Sequence, residues 1–67
     1  MPESFRTTEP LMAMIAADGG HTTLTVPAGA IVVPQGKLHG ERLLEVSWGG
    51  RLVLIFAKDL NERAIGV

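Results

Sequence analysis

The most regular pattern of hydrophobic and polar positions lies in the stretch RLLEVSWGGRLVLIFA, residues 42–57. Two runs rich in apolar and β-branched residues flank a Gly-Gly pair, which is typical of a two-residue β-hairpin. Pairing across this turn sets Trp48 opposite Arg51 and continues outward to Leu43 opposite Phe56. The pattern therefore predicts two antiparallel strands with a defined register.

This register gives the hairpin two different faces. One face carries Leu44, Val46, Trp48, Val53 and Ile55, and the other carries Leu43, Leu52, Leu54 and Phe56, diluted by Glu45 and Ser47. A half-buried strand alternates apolar and polar residues, whereas residues 52–56 are all apolar. Both faces of this strand therefore need cover. We predict that Val53 and Ile55 face the core and that the outward residues form an interface: Leu52, Leu54, Phe56 and Leu43.

Two shorter runs also predict strands. Thr22–Val26 and Ala30–Val33 are rich in Thr, Val and Ile, and Pro27 interrupts them because proline cannot donate a hydrogen bond to a sheet. Residues 11–16 are ambiguous, since Leu, Met and Ala favour a helix. The Asp18-Gly19 pair that follows is a hairpin signal and favours a strand over 11–16. We adopt the strand and keep the helix as the alternative.

The remaining segments predict connections and ends. Residues 34–42 are predicted to be a polar loop because they contain a proline and two glycines. In KDLNER, Asp59 is predicted to cap one helical turn together with Glu62. The last four residues, AIGV, are predicted to form a final short strand. Residues 1–10 are predicted to be a mobile tail, with Phe5 as its contact to the body of the protein.

This order of elements resembles the SH3-like barrel. The predicted fold class is therefore all-β, a small five-stranded SH3-like barrel over residues 11–67, with one 3₁₀ or helical turn before the last strand. SH3 domains that bind proline-rich peptides use a groove of aromatic residues. The chain has no Tyr and a single Trp at the predicted hairpin, so the resemblance does not imply that activity.

Two further resemblances involve particular residues. The pattern PAG…W.GR…F..DL.ER is similar to that of short bacterial proteins without an assigned activity, and it is carried by Pro27, Ala28, Gly29, Trp48, Gly50, Arg51, Phe56, Asp59, Leu60, Glu62 and Arg63. The segments VLIF at 53–56 and ER at 62–63 resemble plasmid-type dihydrofolate reductase, an oligomeric SH3-like barrel. That family's working Gln and Tyr correspond here to Leu54 and Phe56. The resemblance thus implies a barrel and an oligomer, and argues against the reductase activity.

Composition narrows the choice of function. The chain has 67 residues, no cysteine and a net charge of −1, so disulfides are excluded and a basic nucleic-acid footprint is missing. A core this small supplies only about 3–5 kcal/mol of net stability, which makes homo-oligomerisation the expected stabilising device. The sequence contains no apolar run of membrane-spanning length, and its first ten residues lack the pattern of a signal peptide. We expect a cytoplasmic protein that does not associate with membranes, and the chemistry of any protein partner stays open.

Few residues suggest chemistry. His21 and His39 are placed by the pattern in two loops that flank one cleft, where Asp18 or Glu41 would complete a metal site; solvated loop histidines are the simpler interpretation. Trp48 and Arg51 are interpreted as structural, either as a cation–π pair or with Trp48 covering the end of the barrel and Arg51 lying over it. Their exposed edge is a candidate partner contact.

Other candidates have structural explanations. Met12 and Met14 are interpreted as core residues first and as interface residues second. No nucleophile–base pair and no phosphate-binding loop is recognisable, so we predict no catalytic residue, no metal and no cofactor.

Three classes of function stay open. The first is a homo-oligomeric interaction or regulatory module, the second a nucleic-acid-binding barrel, and the third a small oligomeric enzyme with its site on a symmetry axis. The missing basic and catalytic signatures favour the first class and make an enzyme the less expected outcome.

Overall fold

The computed structural model describes residues 3–17, 20–40 and 42–67, and these ranges form seven strands and one short helix. Short connections join most of these elements. The elements are β1 Phe5–Thr7, β2 Leu11–Ala17, β3 Gly20–Val26, β4 Ile31–His39, β5 Leu43–Trp48, β6 Arg51–Phe56, α1 Ala57–Arg63 and β7 Ala64–Gly66. The predicted all-β class is confirmed.

The described strands form one antiparallel sheet in the order β3-β2-β6-β5-β4-β1-β7. β2 pairs with β3 along all seven of its residues. The strand predicted over 11–16 is therefore confirmed and the helical alternative is wrong, because the alternation of a strand buries Leu11 and Ala13 on one face. The predicted turn residues Asp18 and Gly19 lie outside the described residues.

The β5–β6 hairpin has the predicted register at all six pairs, from Trp48 opposite Arg51 to Leu43 opposite Phe56. The two glycines of its turn have φ values of 60° and 81°, a left-handed conformation that glycine adopts without a Cβ clash. Both turn positions need positive φ in this type of hairpin. The Gly-Gly pair therefore sets the register that the pattern predicted.

The predicted faces of β6 are also confirmed. Val53 and Ile55 are buried, whereas Leu52 is 55% exposed and Phe56 is 37% exposed. Leu54 is half-buried. One face of β6 therefore belongs to the core, and the opposite face is open to contact with another molecule.

A single core draws residues from across the sheet. Side chains from β2, β3, β4, β5, β6 and α1 pack in one cluster, so the sheet curls around it. The buried members are Leu11, Ala13, Val26, Val32, Val46, Val53, Ile55 and Leu60. Phe5 packs against the same cluster, as its predicted contact with the body requires.

The predicted five-stranded barrel is not matched, because the described strands form an open antiparallel sheet of seven. Two segments predicted to be irregular belong to this sheet. Phe5–Thr7, within the predicted tail of residues 1–10, pairs with both β4 and β7. The domain boundary predicted at residue 10 therefore does not match the sheet. Residues 34–39, within the predicted loop, continue β4 through a shift in register between Pro34 and Leu38. A bulge of this kind lets an interrupted segment remain in a strand.

The helix also departs from the predicted cap. α1 begins one residue earlier than KDLNER and its N-cap is Phe56, which makes no side-chain hydrogen bond to the helix. Asp59 is instead the third helical residue. Its Oδ1 lies 4.0 Å from Arg63 Nε in an i,i+4 ion pair. The predicted capping box is therefore wrong, although the helix lies directly before the last strand as predicted.

Thr7 is the buried polar residue that joins β1 to the turn between β3 and β4. Its hydroxyl donates to the Pro27 carbonyl at 2.7 Å and accepts from the Ala30 N–H at 3.0 Å. Its backbone N–H donates to the Ala30 carbonyl, and its carbonyl accepts from the Gly29 N–H. Four hydrogen bonds thus fix β1 against this turn, with Thr7 only 2% exposed.

Replacing Thr7 by Val is expected to destabilise the protein by about 1–3 kcal/mol. The isosteric change leaves the Pro27 carbonyl and the Ala30 N–H without a side-chain partner at a partly buried position. Thr8→Val is the control, because Thr8 is exposed. Urea unfolding followed by Trp48 fluorescence measures both variants, and equal midpoints would contradict a structural role of the Thr7 hydroxyl.

Candidate functional site

The outward face of β2, β5 and β6 carries six large apolar side chains that lie outside the core. We call this surface the outer apolar face. Its members are Met12, Met14, Leu43, Leu52, Leu54 and Phe56.

Sheet pairing brings these residues together. Met14 lies directly opposite Leu54 on the neighbouring strand, and Leu43 lies opposite Phe56. Met12 is 57% exposed, the highest value among the large apolar residues of this face. Residues directly opposite each other in a sheet project to the same side. The four interface candidates predicted from the sequence are thus on one surface, together with two methionines.

The prediction that Met12 and Met14 are core residues is wrong. Both were interpreted first as core residues, whereas Leu11 and Ala13 fill the core and the methionines project to the other face. The reason is the period of two in a β-strand, which alternates consecutive residues between faces. Their second interpretation, as interface residues, stays a prediction.

A groove of ≈ 240 Å³ lies beside the Met14–Leu54 pair. Leu52 and Glu45 contribute to its walls, and so does His21, which is exposed and belongs to β3. The prediction that His21 lies in a loop is therefore wrong. The lining of the groove combines apolar side chains with an imidazole and a carboxylate.

Trp48 and Arg51 line a different groove, of ≈ 360 Å³, with Leu24 and Thr25 of β3. Trp48 is half-buried and packs against the core, whereas Arg51 is exposed. Trp48 thus helps to cover one end of the core, in line with the structural interpretation of this pair. The predicted cleft residues are divided between two grooves, since His21 lines the other one.

His39 is the second histidine of the predicted cleft. Its backbone ends strand β4 and pairs with Leu43, so its predicted loop position is wrong as well. In the sheet order, β2, β6 and β5 separate β4 from the strand of His21. The acidic partners suggested for a metal site, Asp18 and Glu41, lie outside the described residues.

Within the ranges that the structure describes, no group of three or more His, Cys, Asp or Glu residues is placed to hold a metal ion. The predicted absence of a metal stays a prediction. Side-chain hydrogen bonds join Ser4, Thr7 and Gln35 to backbone groups.

The sequence analysis missed one surface feature. Arg42 and Lys58 flank the exposed ring of Phe56 in a groove of ≈ 540 Å³ whose lining also includes Asp59. The signal was present in the hairpin register, because pairing Leu43 with Phe56 brings the preceding Arg42 next to the start of the helix. The Ala57 N–H donates to the Arg42 carbonyl at 2.8 Å, which fixes this junction.

Comparisons with protein-family models, curated proteins and solved structures found no match to this chain. The resemblances to the SH3-like barrel, to plasmid-type dihydrofolate reductase and to the short bacterial proteins therefore stay predictions. Among the residues described, no helix has the length and apolar character needed to cross a membrane.

Proposed function

We propose that this protein is a homo-oligomeric interaction module that self-associates through its outer apolar face. The observation that carries the proposal is the outward direction of Leu52, Leu54 and Phe56 next to Met14 of the neighbouring strand. A contiguous apolar surface of this kind on a small protein marks an interaction site.

Self-association is favourable only if the free energy gained by burying apolar side chains exceeds the cost of association. Complete burial of a Leu, Met or Phe side chain contributes roughly 1.5–3 kcal/mol relative to full exposure. The partial burial that these side chains already have lowers the gain per residue, and association itself costs free energy. Several adjacent residues are therefore needed, and the outer apolar face supplies six.

A second copy of the same chain is the partner that this face fits best. On the outward side of β2, β5 and β6, Glu45 is the single charged residue, so the rest of this face carries no charge that would repel a second copy. Two-fold symmetric dimers are the commonest soluble oligomers, and their interfaces are self-complementary. Leu54 lies between Met14 and Glu45 in one row across the face.

The SH3-like relationship is part of the same proposal. The tight hairpin, the short helix and the final strand follow one another in the order typical of that fold. The single core, which draws residues from strands across the sheet, also supports this relationship. We infer a cytoplasmic location from composition alone. The nucleic-acid-binding and enzymatic alternatives receive no comparable support from the described residues.

The mass of the native protein in solution tests the proposal. We expect sedimentation equilibrium to give a multiple of the 7.1 kDa chain mass at micromolar concentration. Thermal stability should rise with protein concentration, because association stabilises the folded state by mass action. A monomer at millimolar concentration would refute self-association.

A further inference from the structure

Strand β3 is one end of the sheet and has a free side. It pairs with β2 through seven consecutive residues, from Gly20 to Val26, without a shift in register. Among the described residues, its other side pairs with no strand, and the backbone hydrogen bonds outside the sheet do not involve residues 20–26. A row of main-chain donors and acceptors therefore lies open along β3.

This edge lacks the features that normally prevent strands from pairing with other molecules. Natural edge strands are short, bulged, or interrupted by lysine, other charged residues or proline. The sequence GHTTLTV contains no proline and no Lys, Arg, Asp or Glu. The strand at the opposite end, β7, is only three residues long. The two ends of the sheet thus differ in their capacity to accept another strand.

We infer that β3 is a second self-association surface, at which it pairs antiparallel with β3 of another copy. The inference rests on the proposed function in so far as the occupant is the same chain, and it adds a different surface. An antiparallel pair of identical strands has a two-fold axis perpendicular to the sheet and satisfies the open main-chain groups of both copies. Since β3 has no Lys, Arg, Asp or Glu, no such charges oppose each other across the axis.

The side chains of β3 suit an identical strand. Thr22, Thr23 and Thr25 are exposed. Side chains of a strand project above and below the sheet, so they do not hinder the approach of a second strand to this edge. Threonine is β-branched, and Thr–Thr pairs across neighbouring strands are favourable. Recognition of a foreign peptide by strand addition needs pockets for its alternate side chains. Leu24 and Thr25, near one end of this strand, line the groove that also contains Trp48 and Arg51.

Two surfaces of this kind define an assembly. Pairing at β3 continues the sheet into a second copy and leaves both outer apolar faces on the same side, because the axis is perpendicular to the sheet. Association of those faces with a second such pair then gives a tetramer with two types of two-fold interface.

The test uses substitutions at Thr22, which is exposed and projects to the opposite side from the outer apolar face. Thr22→Lys and Thr22→Glu each place like charges close together across the axis. We expect each variant alone to sediment at half the mass of the wild-type assembly. Mixing the two variants brings opposite charges together and should restore the wild-type mass, which a misfolded variant would not do. Thr22→Val, neutral and nearly isosteric, is the control and should keep the wild-type mass.

Other results separate the two surfaces. If Thr22→Lys and Thr22→Glu keep the wild-type mass, or if their mixture fails to regain it, pairing at β3 is overturned. If Thr22→Lys halves the mass while Leu54→Glu leaves it unchanged, pairing at β3 is supported and self-association through the outer apolar face is refuted. Slowed amide hydrogen exchange of residues 20–26 in the wild type relative to Thr22→Lys would support the edge. Equal exchange in the two proteins would contradict it.

Discussion

Leu54→Glu is expected to reduce the mass of the native assembly at least twofold while the sheet stays folded. Leu54 lies near the middle of the outer apolar face, directly opposite Met14 on one neighbouring strand and Glu45 on the other. In a symmetric interface the new carboxylate would be buried close to the same carboxylate of the second chain and to Glu45. An uncompensated buried charge costs several kcal/mol, more than a small interface can offset.

The matched control is Ile65→Glu, which introduces the same charge at an apolar residue that is 47% exposed on β7. Ile65 lies outside the outer apolar face, so its variant should keep the wild-type mass. Sedimentation and far-ultraviolet circular dichroism measure assembly and folding separately. A Leu54→Glu protein with the wild-type mass would remove the basis of the proposed function, and an unfolded one would mean that this face belongs to the core.

Ile55→Ala is expected to destabilise the protein by about 2–5 kcal/mol, the usual range for truncating a fully buried aliphatic side chain. Ile55 is 0% exposed and pairs with Ala13 and Leu44 on its two sides. The loss is comparable with the whole net stability expected of so small a core. The variant should therefore be largely unfolded at low concentration.

Ile31→Ala is the control for this prediction, because it removes the same atoms from a side chain that is 47% exposed. We expect its unfolding midpoint in urea to change much less. If the two variants unfold at the same denaturant concentration, the assignment of the inner face of β6 would be contradicted. Partial refolding of Ile55→Ala at high concentration would show that association contributes to stability.

The sequence was sufficient to predict the β5–β6 hairpin because its information is local. Two glycines with positive φ specify the turn, and the period of two then assigns each residue to a face. Given these two rules, Val53 and Ile55 had to share one side and Leu52, Leu54 and Phe56 the other. The interface candidates follow from the same reasoning.

Long-range pairing explains the main errors. β1 has three residues and no strong strand pattern, and its partners lie near residues 31–32 and 64–66. Nothing local in Phe5–Thr7 indicates a strand, and the hydrogen bonds of Thr7 form only when the β3–β4 turn is in place. Tertiary context decides such short strands, because sheet propensity depends on the neighbouring strands.

Proline and glycine led to the other errors in the strands. Pro34 and Gly36 are typical of loops, yet β4 contains both, with a φ of 79° at Gly36 and a register shift at this point.

The prediction that the two methionines belong to the core was wrong for a different reason. Met12 and Met14 share their chemistry with core residues, and only the burial of Leu11 and Ala13 shows which side of β2 faces inward.

The pairing of β1 with β7 has a consequence for the kinetics of folding. Phe5 lies opposite Gly66, and the Val67 N–H donates to the Ser4 carbonyl at 3.0 Å. Closing so long a loop carries an entropic cost that the β2–β3 and β5–β6 hairpins avoid, since their partners are close in sequence. Hairpin formation should therefore precede the joining of the two ends of the chain, and this three-residue pairing should be among the first to open in the native state.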